Sequence, residues 1–180
     1  MRRPRPPGKG EVSLFLYVLI ILAAFALDQL TKYLATVYLA PAGTLPFLPG
    51  VMELRFHLND GAAFSSFSGA RVFIIVFTGC ALAALAAYLF WKKPESRLER
   101  AALAMLIGGG LGNFVDRVRT GEVVDFFATT FIDFAVFNVA DCFVCVGVGL
   151  LVLSVFLEEA AKRKREKPQD AQTGGTDGSN

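Results

Sequence analysis

The chain has 180 residues, of which 54% are hydrophobic, with a mean hydropathy of +0.50 and a formal net charge of +2 at pH 7. This composition excludes an ordinary soluble domain and favours a chain whose solvent is the lipid bilayer. A helix of about 20 residues crosses the ~30 Å hydrocarbon core, and four segments approach that length: 14–34, 72–91, 98–118 and 139–157.

The first predicted span, 14–34, follows a basic arm at residues 1–13. A basic arm before an apolar run is also typical of a cleaved signal peptide. The region continues past Asp28 and Lys32 without a helix breaker until Pro41, which favours a retained membrane helix. Asp28 and Lys32 are four residues apart, in the favourable order for an ion pair on one helical face. A neutralising pair is the simpler interpretation, although polar groups at membrane depth also indicate function.

The segment after this span, 35–71, contains a predicted strand at 51–58, VMELRFHL, in which apolar and polar residues alternate. The triplet NDG at 59–61 is a hairpin turn signal, and AAFSSFS at 62–68 is a candidate returning strand. We therefore predict a small sheet at the outer, extracytoplasmic interface of the membrane. Its open edge is also suited to binding an extended peptide by strand addition.

The second and third spans differ in character. The second, 72–91, contains no charged residue, whereas the third, 98–118, is less apolar and rich in glycine. Gly108 and Gly112 form a G-x-x-x-G spacing that lets helices approach closely. We interpret the glycines of this span as packing residues.

The fourth span, 139–157, has Asp141 near its start and a C-x-x-C pattern at Cys142 and Cys145. The chain has no second ligand pair for zinc and no βαβ context for redox chemistry, so we interpret the cysteines as packing residues and expect no metal and no cofactor. His57 is the only histidine, which excludes an H-E-x-x-H metalloprotease and disfavours a Ser-His-Asp triad.

The basic residues predict the orientation of the chain, because cytoplasmic loops and tails retain Lys and Arg. Thirteen of the 18 Lys and Arg residues lie in or next to the arm, the turn between the second and third spans, and the tail 159–180. We predict a single membrane domain, 14–158, with four spans, both termini cytoplasmic, and the segments 35–71 and 119–138 outside. The end of the tail is expected to be disordered.

Six of the eight aspartates lie in the outer segments or at the outer ends of spans, namely Asp28, Asp60, Asp116, Asp125, Asp133 and Asp141. Any chemistry is therefore expected at the outer membrane face. Two carboxylates held close together in a partly dry site share one proton, and such a pair can hydrolyse a peptide bond. Asp116 is a poor candidate because Arg117 and Arg119 are near enough to keep it ionised.

Asp125, Asp133 and Asp141 remain as candidates, and their spacing does not choose a pair. Asn138 lies three residues before Asp141, on the same helical face or at the helix cap. Helix capping, or pairing with Arg117 and Arg119, explains these acids equally well.

Five motifs, in order along the chain and all on the predicted outer side, resemble those of lipoprotein signal peptidase (signal peptidase II), a family of bacterial membrane aspartyl proteases. The resemblance runs from the first span to the end of the fourth. The motifs are DQLTK at 28–32, NDGAAFS at 59–65, GNFVDR at 112–117, VVDF at 123–126 and FNVAD at 137–141.

The resemblance implies that Asp125 and Asp141 are the catalytic pair, so that Asp133 loses its claim. It implies substrate-binding or supporting roles for Asn59, Gly61, Ala62, Asn113, Arg117, Asn138 and Ala140, and structural roles near the site for Asp28, Lys32 and Asp116. Cys142 stands where the family usually has Ser, and Gly110 where Ala is common.

The fold implied by the resemblance has four transmembrane helices, a small extracytoplasmic β-cradle and a short outer helix. The implied substrate is a prolipoprotein signal peptide, cut just before a cysteine that carries diacylglyceryl, at the extracytoplasmic side of the bacterial inner membrane. Membrane lipids and globomycin-type peptide inhibitors are further implied partners, whereas nucleic acid is not, and no metal is required.

Two other classes of function compete with this one. A small proton- or ion-coupled transporter also uses intramembrane acids, but transporters usually carry internal repeats and acids near the midplane. A noncatalytic membrane scaffold accounts for the glycines and leaves the clustered polar residues without a role. Among other intramembrane proteases, the sequence has no G-x-G-D motif, and a Ser/Lys dyad would require Lys32.

Overall fold

The computed structural model describes residues 9–61 and 70–170, which are mostly helical and include one three-stranded antiparallel sheet. The first helix, α1, spans Lys9–Leu34 and continues through a π-helical turn, Ala35–Leu39, into a short helix, α2, at Ala40–Ala42. Helix α3 spans Ala70–Ala87 and ends in a second π-helical turn, Tyr88–Lys92. Helices α4 and α5 span Arg97–Arg119 and Val139–Asp170.

Three helical segments are long and apolar enough to cross a membrane: Leu14–Ala42, Arg71–Lys92 and Val139–Arg163. They correspond to the first, second and fourth predicted spans. Helix α4 covers the third predicted span, 98–118, but is not apolar enough to be counted with them. The reason is its position, because α4 contacts α1, α3 and α5 and buries much of its surface against them instead of presenting it to lipid.

The glycines of α4 allow these contacts, as their spacing predicts. A Cβ atom on Gly108 would lie 2.7 Å from Ala24 Cβ in α1, and one on Gly109 would lie 2.6 Å from the carbonyl oxygen of Ala140 in α5. A Cβ atom on Gly112 would collide with Asp28. The helix backbones therefore approach more closely than any larger residue permits.

The sheet consists of β1 (Thr44–Leu48), β2 (Met52–Asn59) and β3 (Val123–Thr129), in the order β1-β2-β3. The strand predicted at 51–58 is β2. Its neighbours differ from the prediction, because a turn at 49–51 connects it to β1 and its other edge pairs with β3, which comes from the second outer segment. The returning strand predicted at 62–68 lies outside the described residues.

The resemblance also implied a short outer helix. Residues 43–61 and 120–138 contain no helix, and the short helical turns at 35–42 directly continue α1. The sheet packs against this end of α1, where Ala35 and Leu39 form a buried cluster with Phe126 of β3. A second cluster joins α1, α4 and the π-helical turn after α3 through Tyr17, Ile21, Leu89, Leu103, Ala104 and Ile107. The first of these clusters, against which Val139 also packs, places the sheet beside the start of α5.

Candidate active site

Asp125 lies in the middle of β3 and is almost fully buried, with 2% of its surface exposed. Its Oδ2 accepts a hydrogen bond from Asn59 Nδ2 at 2.9 Å, and its Oδ1 accepts one from Asn138 Nδ2 at 2.6 Å. Asn59 is the last residue of the neighbouring strand β2, so strand pairing brings its amide to the carboxylate. The two amides together fix the orientation of Asp125.

Asp141 lies in the first turn of α5 and is held by reciprocal capping with Asn138. The Asp141 backbone N–H donates to Asn138 Oδ1 at 3.1 Å, and the Asn138 backbone N–H donates to Asp141 Oδ2 at 3.0 Å. Such an arrangement satisfies two backbone donors at the start of a helix and fixes both side chains. The other carboxylate oxygen, Oδ1, accepts a hydrogen bond from Asn113 Nδ2 at 2.8 Å.

Asn138 therefore contacts both carboxylates, one through its side-chain amide and the other through its backbone. It is fully buried, and its amide nitrogen also donates to Asn113 Oδ1 at 3.1 Å. Asn59 from β2, Asn113 from α4 and Asn138 before α5 form a polar frame around the acids. Three separate parts of the fold meet in this frame.

The two carboxylates line one cavity of about 440 Å³. Asn59, Asn113 and Arg117 add polar groups to its wall, and the rest of the lining consists of Val123, Phe134, Ala135, Val136, Phe137, Cys142 and Cys145. A concave, mostly apolar pocket with a few converging polar groups is typical of a ligand or substrate site.

Burial raises the pKa of Asp125 above its ordinary value, and the negative charge of Asp141 raises it further. Hydrogen bonds from Asn59 and Asn138 and the positive charge of Lys32 act in the opposite direction without cancelling the effect of burial. The geometry and the electrostatics therefore suit a pair of acids that shares one proton, which is the state required for acid–base chemistry.

Next to this pair lies a second group of buried charges, centred on Lys32 of α1. Its Nζ lies 2.8 Å from Asp28 Oδ2 and 2.7 Å from Asp116 Oδ2. The ion pair predicted from the spacing of Asp28 and Lys32 is thus present. Asp116 is held by Lys32 and not, as predicted, by Arg117 or Arg119, which form no ion pair with an acid among the described residues.

Asp28 also stabilises the start of α5. Its Oδ1 accepts a hydrogen bond from the backbone N–H of Ala140 at 2.9 Å. The first turn of a helix has N–H groups without partners inside the helix, and Asp28 supplies one such partner from α1. Asp28 and Ala140 are both fully buried, so this contact fixes α5 relative to α1.

Gly61 supports the site through Asn59. Gly61 adopts a φ of +75° and donates its N–H to Asn59 Oδ1 at 2.9 Å, which fixes the asparagine that contacts Asp125. Ala62 lies outside the described residues. Asp133 is exposed and does not line the cavity of Asp125 and Asp141. The described residues contain no cluster of three or more His, Cys, Asp or Glu side chains that could hold a metal ion.

Sequence reasoning missed three residues near the acids. Cys142 and Cys145, interpreted as packing residues, are exposed and line the cavity. Their spacing from Asp141 gives a partial signal, since Cys145 is four residues later and thus on the same helical face. Gln29 donates hydrogen bonds to Asp116 Oδ1 at 3.0 Å and to Asp28 Oδ2 at 3.3 Å. No pattern in the sequence indicates that contact.

Comparison with solved structures identifies the fold. Two structures of bacterial membrane enzymes are each similar to this chain with a TM-score of 0.73. One is 32% identical, with 82% of this chain and 91% of the other covered. The second is 33% identical, with 78% of this chain and 92% of the other covered. The arrangement of helices and sheet in this chain is thus similar to that of known bacterial membrane enzymes.

Comparison of sequences identifies the family. Two proteins of Streptococcus pyogenes, from serotypes M5 (strain Manfredo) and M18 (strain MGAS8232), are each named lipoprotein signal peptidase. Each is 39% identical to this chain over 144 residues, which is 80% of this chain and 95% of the relative. Residues 20–157, which include all the site residues described above, match the model of signal peptidase (SPase) II. The chain belongs to the signal peptidase II family.

Proposed function

We propose that this protein is an aspartyl endopeptidase that removes the signal peptide of prolipoproteins by cutting just before a cysteine that carries diacylglyceryl. One observation carries the proposal: Asp125 and Asp141 line the same cavity, and both are bound by Asn138. The name shared by the relatives supports the substrate class.

In the proposed reaction the two acids share one proton. The ionised carboxylate removes a proton from a water molecule, whose oxygen attacks the scissile carbonyl carbon. The protonated carboxyl donates a hydrogen bond to the carbonyl oxygen. The tetrahedral intermediate collapses, the C–N bond breaks, and the amine leaves with a proton returned by the pair. The raised pKa of Asp125 favours that residue as the one that holds the shared proton.

The polar frame has a supporting role in this proposal. Asn59, Asn113 and Asn138 keep the carboxylates in position, while Arg117 lies on the cavity wall, within reach of substrate carbonyl groups. Asp28, Lys32, Asp116 and Ala140 support the pair without lining its cavity, and Gly61 holds Asn59 in place. Ala62 keeps the supporting role that the family resemblance implies. Globomycin-type peptides would inhibit by filling the same cavity.

The proposed location is the bacterial inner membrane, with four spans, both termini cytoplasmic and the active site on the extracytoplasmic side. The three apolar helices supply three spans. Helix α4 supplies the fourth, since its length of 23 residues is sufficient and its neighbours shield it from lipid. The distribution of basic residues supports the orientation.

The decisive experiment uses the purified full chain in detergent micelles and a prolipoprotein with or without diacylglyceryl on its cysteine. We expect cleavage directly before the modified cysteine. The unlipidated precursor should be cut far more slowly, because each buried methylene of an acyl chain contributes about 0.8 kcal/mol to binding at the membrane.

Two results would contradict the proposal. Folded protein that leaves the lipidated precursor intact would exclude the peptidase assignment for this substrate. Equal rates on both precursors in the same micelles would exclude recognition of the lipid. Asp133→Asn serves as the matched active variant, because this carboxylate is exposed and is not among the residues that line the cavity.

A further inference from the structure

Asn113 connects the pair of acids to the group of buried charges around Lys32. Its Oδ1 accepts hydrogen bonds from Lys32 Nζ at 2.8 Å and from Asn138 Nδ2 at 3.1 Å, while its Nδ2 donates to Asp141 Oδ1 at 2.8 Å. The oxygen and nitrogen of an asparagine amide have nearly the same shape, so its neighbours decide which way it points. The choice matters here, because only the NH₂ group can donate to a carboxylate.

Lys32 sets this orientation together with the NH₂ group of Asn138. An ammonium group has three donors and no acceptor, so it must face the oxygen of Asn113 and not the nitrogen. Three oxygen atoms lie within 2.8 Å of Lys32 Nζ, namely Asp28 Oδ2, Asp116 Oδ2 and Asn113 Oδ1. The side chain is 4% exposed. The ion pairs with Asp28 and Asp116 restrict the position of the ammonium group, and its hydrogen bond to Asn113 Oδ1 directs the NH₂ group of Asn113 to Asp141.

The charge of Lys32 also reaches the pair of acids. The charged groups around it are Asp28 on its own helix, Asp116 on α4, Asp125 on β3 and Asp141 on α5. The cavity wall also carries the titratable side chains of Arg117, Cys142 and Cys145, and His57 is the register partner of Asp125 on β2. Lys32 is bound within this network, and its positive charge favours ionisation of Asp125.

We propose that Lys32 is a positioning residue for the peptidase reaction, on which this inference rests: it orients the Asn113 amide toward Asp141 and supplies the positive charge that keeps one carboxylate of the pair ionised. Lys32 does not line the cavity. It acts through Asn113 and through its charge, without contact with the substrate.

The test compares two substitutions of Lys32 that separate these effects. Lys32→Met removes both the donor and the charge, whereas Lys32→Gln removes the charge and keeps a neutral donor for Asn113. With the diacylglyceryl-modified precursor, Lys32→Met should lower kcat at least tenfold with KM within about twofold, because only the step that uses the pair is affected. Lys32→Gln should recover part of kcat.

The pH profile of cleavage measures the effect of charge. Loss of the cation disfavours the ionised carboxylate, so in both Lys32 variants the acid limb of the profile should move upward, by on the order of one pH unit. Asp116→Asn removes a negative charge from the same group and should move this limb downward. A purely structural role does not produce shifts of opposite sign. Ser154→Ala, which removes a buried hydroxyl further along α5, should keep the wild-type profile.

The outcomes distinguish this inference from the proposed function. Wild-type kcat and pH profile in both Lys32 variants, measured per folded enzyme, would overturn the role of Lys32. If those variants do not fold, an acid limb in Asp116→Asn that stays in place or moves upward would overturn it, since Lys32 keeps its partner Asp28 there. Retained cleavage in Asp125→Asn and Asp141→Asn would instead refute the proposed function itself.

Discussion

At the scale of single residues, the site depends on buried amides. Asn138 binds Asp125 with its side chain and Asp141 with its backbone, while its own Oδ1 caps α5. Because a buried amide must satisfy both its donors and its acceptor, a residue with these contacts has one orientation. The two acids consequently keep fixed positions even though they lie on a strand and a helix, respectively.

Replacing either acid by its amide tests the proposed chemistry. Asp125→Asn and Asp141→Asn should each lower kcat by about 10²–10⁴-fold, since an amide can neither take a proton from water nor return one. The double variant should be scarcely slower than either single one, because residues that act as a unit lose function together. Precursor cleavage in micelles measures all three. Asp133→Asn should stay near wild-type activity, and the reverse pattern would show that the pair is wrongly assigned.

The raised pKa of Asp125 predicts how stability depends on pH. The folded state favours the protonated carboxyl, so its stabilising contribution is complete below the unfolded pKa of about 3.9 and is lost as pH rises through the folded pKa. Asp125→Asn does not titrate. The difference in melting temperature between this variant and the wild type should therefore change in the variant's favour between about pH 4 and pH 7.

Thermal unfolding in one detergent, followed by circular dichroism, measures that difference. The exposed Asp133→Asn substitution is the control and should show no comparable trend. A difference for Asp125→Asn that stays constant over this range, or that moves in the wild type's favour, would be inconsistent with a buried carboxyl whose pKa is raised.

At the scale of elements, the start of α5 is the point where α1, α4 and β3 meet. Asp28 of α1 accepts from the Ala140 N–H in its first turn, and Asn113 of α4 donates to Asp141. Asn138, directly before the helix, donates to Asp125 of β3. These contacts require α1 and α4 to be very close, and the glycines of α4 allow this.

Gly112→Ala should disrupt that meeting point. Its methyl group would collide with the Asp28 carboxylate and lie 3.4 Å from Ala140 Cβ. Overpacking of this kind costs about 1–3 kcal/mol, and displacement of Asp28 would also disturb Lys32. Melting temperature and cleavage rate should both fall. The matched control is Gly149→Ala in α5, where nothing lies within 4 Å of the added atom. Equal behaviour of the two variants would disprove this packing argument.

At the scale of the whole molecule, the polar groups of the site are concentrated at one end of the helices. Large apolar side chains such as Phe73, Phe77 and Phe156 are exposed along the helices, where lipid would cover them. The acids, the asparagines and the sheet lie together at the end of the helices opposite the basic turn that precedes α4. A transporter would require polar groups nearer the midplane, so this distribution favours an enzyme that works at one membrane face.

The proposed orientation predicts which loops can be labelled from outside the cell. In a variant whose three native cysteines are replaced by serine, Asp60→Cys should react with a membrane-impermeant maleimide in intact cells, and Glu95→Cys should react only after permeabilisation. Both positions are exposed. The opposite result would invert the topology, and labelling of both in intact cells would show that α3 does not cross the membrane.

The sequence by itself determined what depends on neighbouring residues. Apolar run lengths located the long helices, alternation located β2, and a four-residue spacing predicted the ion pair of Asp28 and Lys32, because these patterns follow from the periods of helix and strand. The five motifs carried the family resemblance. That resemblance selected the pair Asp125 and Asp141, whereas spacing alone had left three candidates.

Only the tertiary structure decided which distant residues meet. Asn59 contacts Asp125 across 66 residues, and Asn113 contacts Asp141 across 28, separations that no local period describes. Strands β1 and β3 were not predicted, since Pro46 interrupts one and Asp125 the other, and their pairing with β2 stabilises both. The low hydropathy of α4 likewise has a tertiary cause. A helix that packs against other helices is stabilised by close contact and does not require an apolar surface toward lipid. Only the packed fold shows where that contact is made.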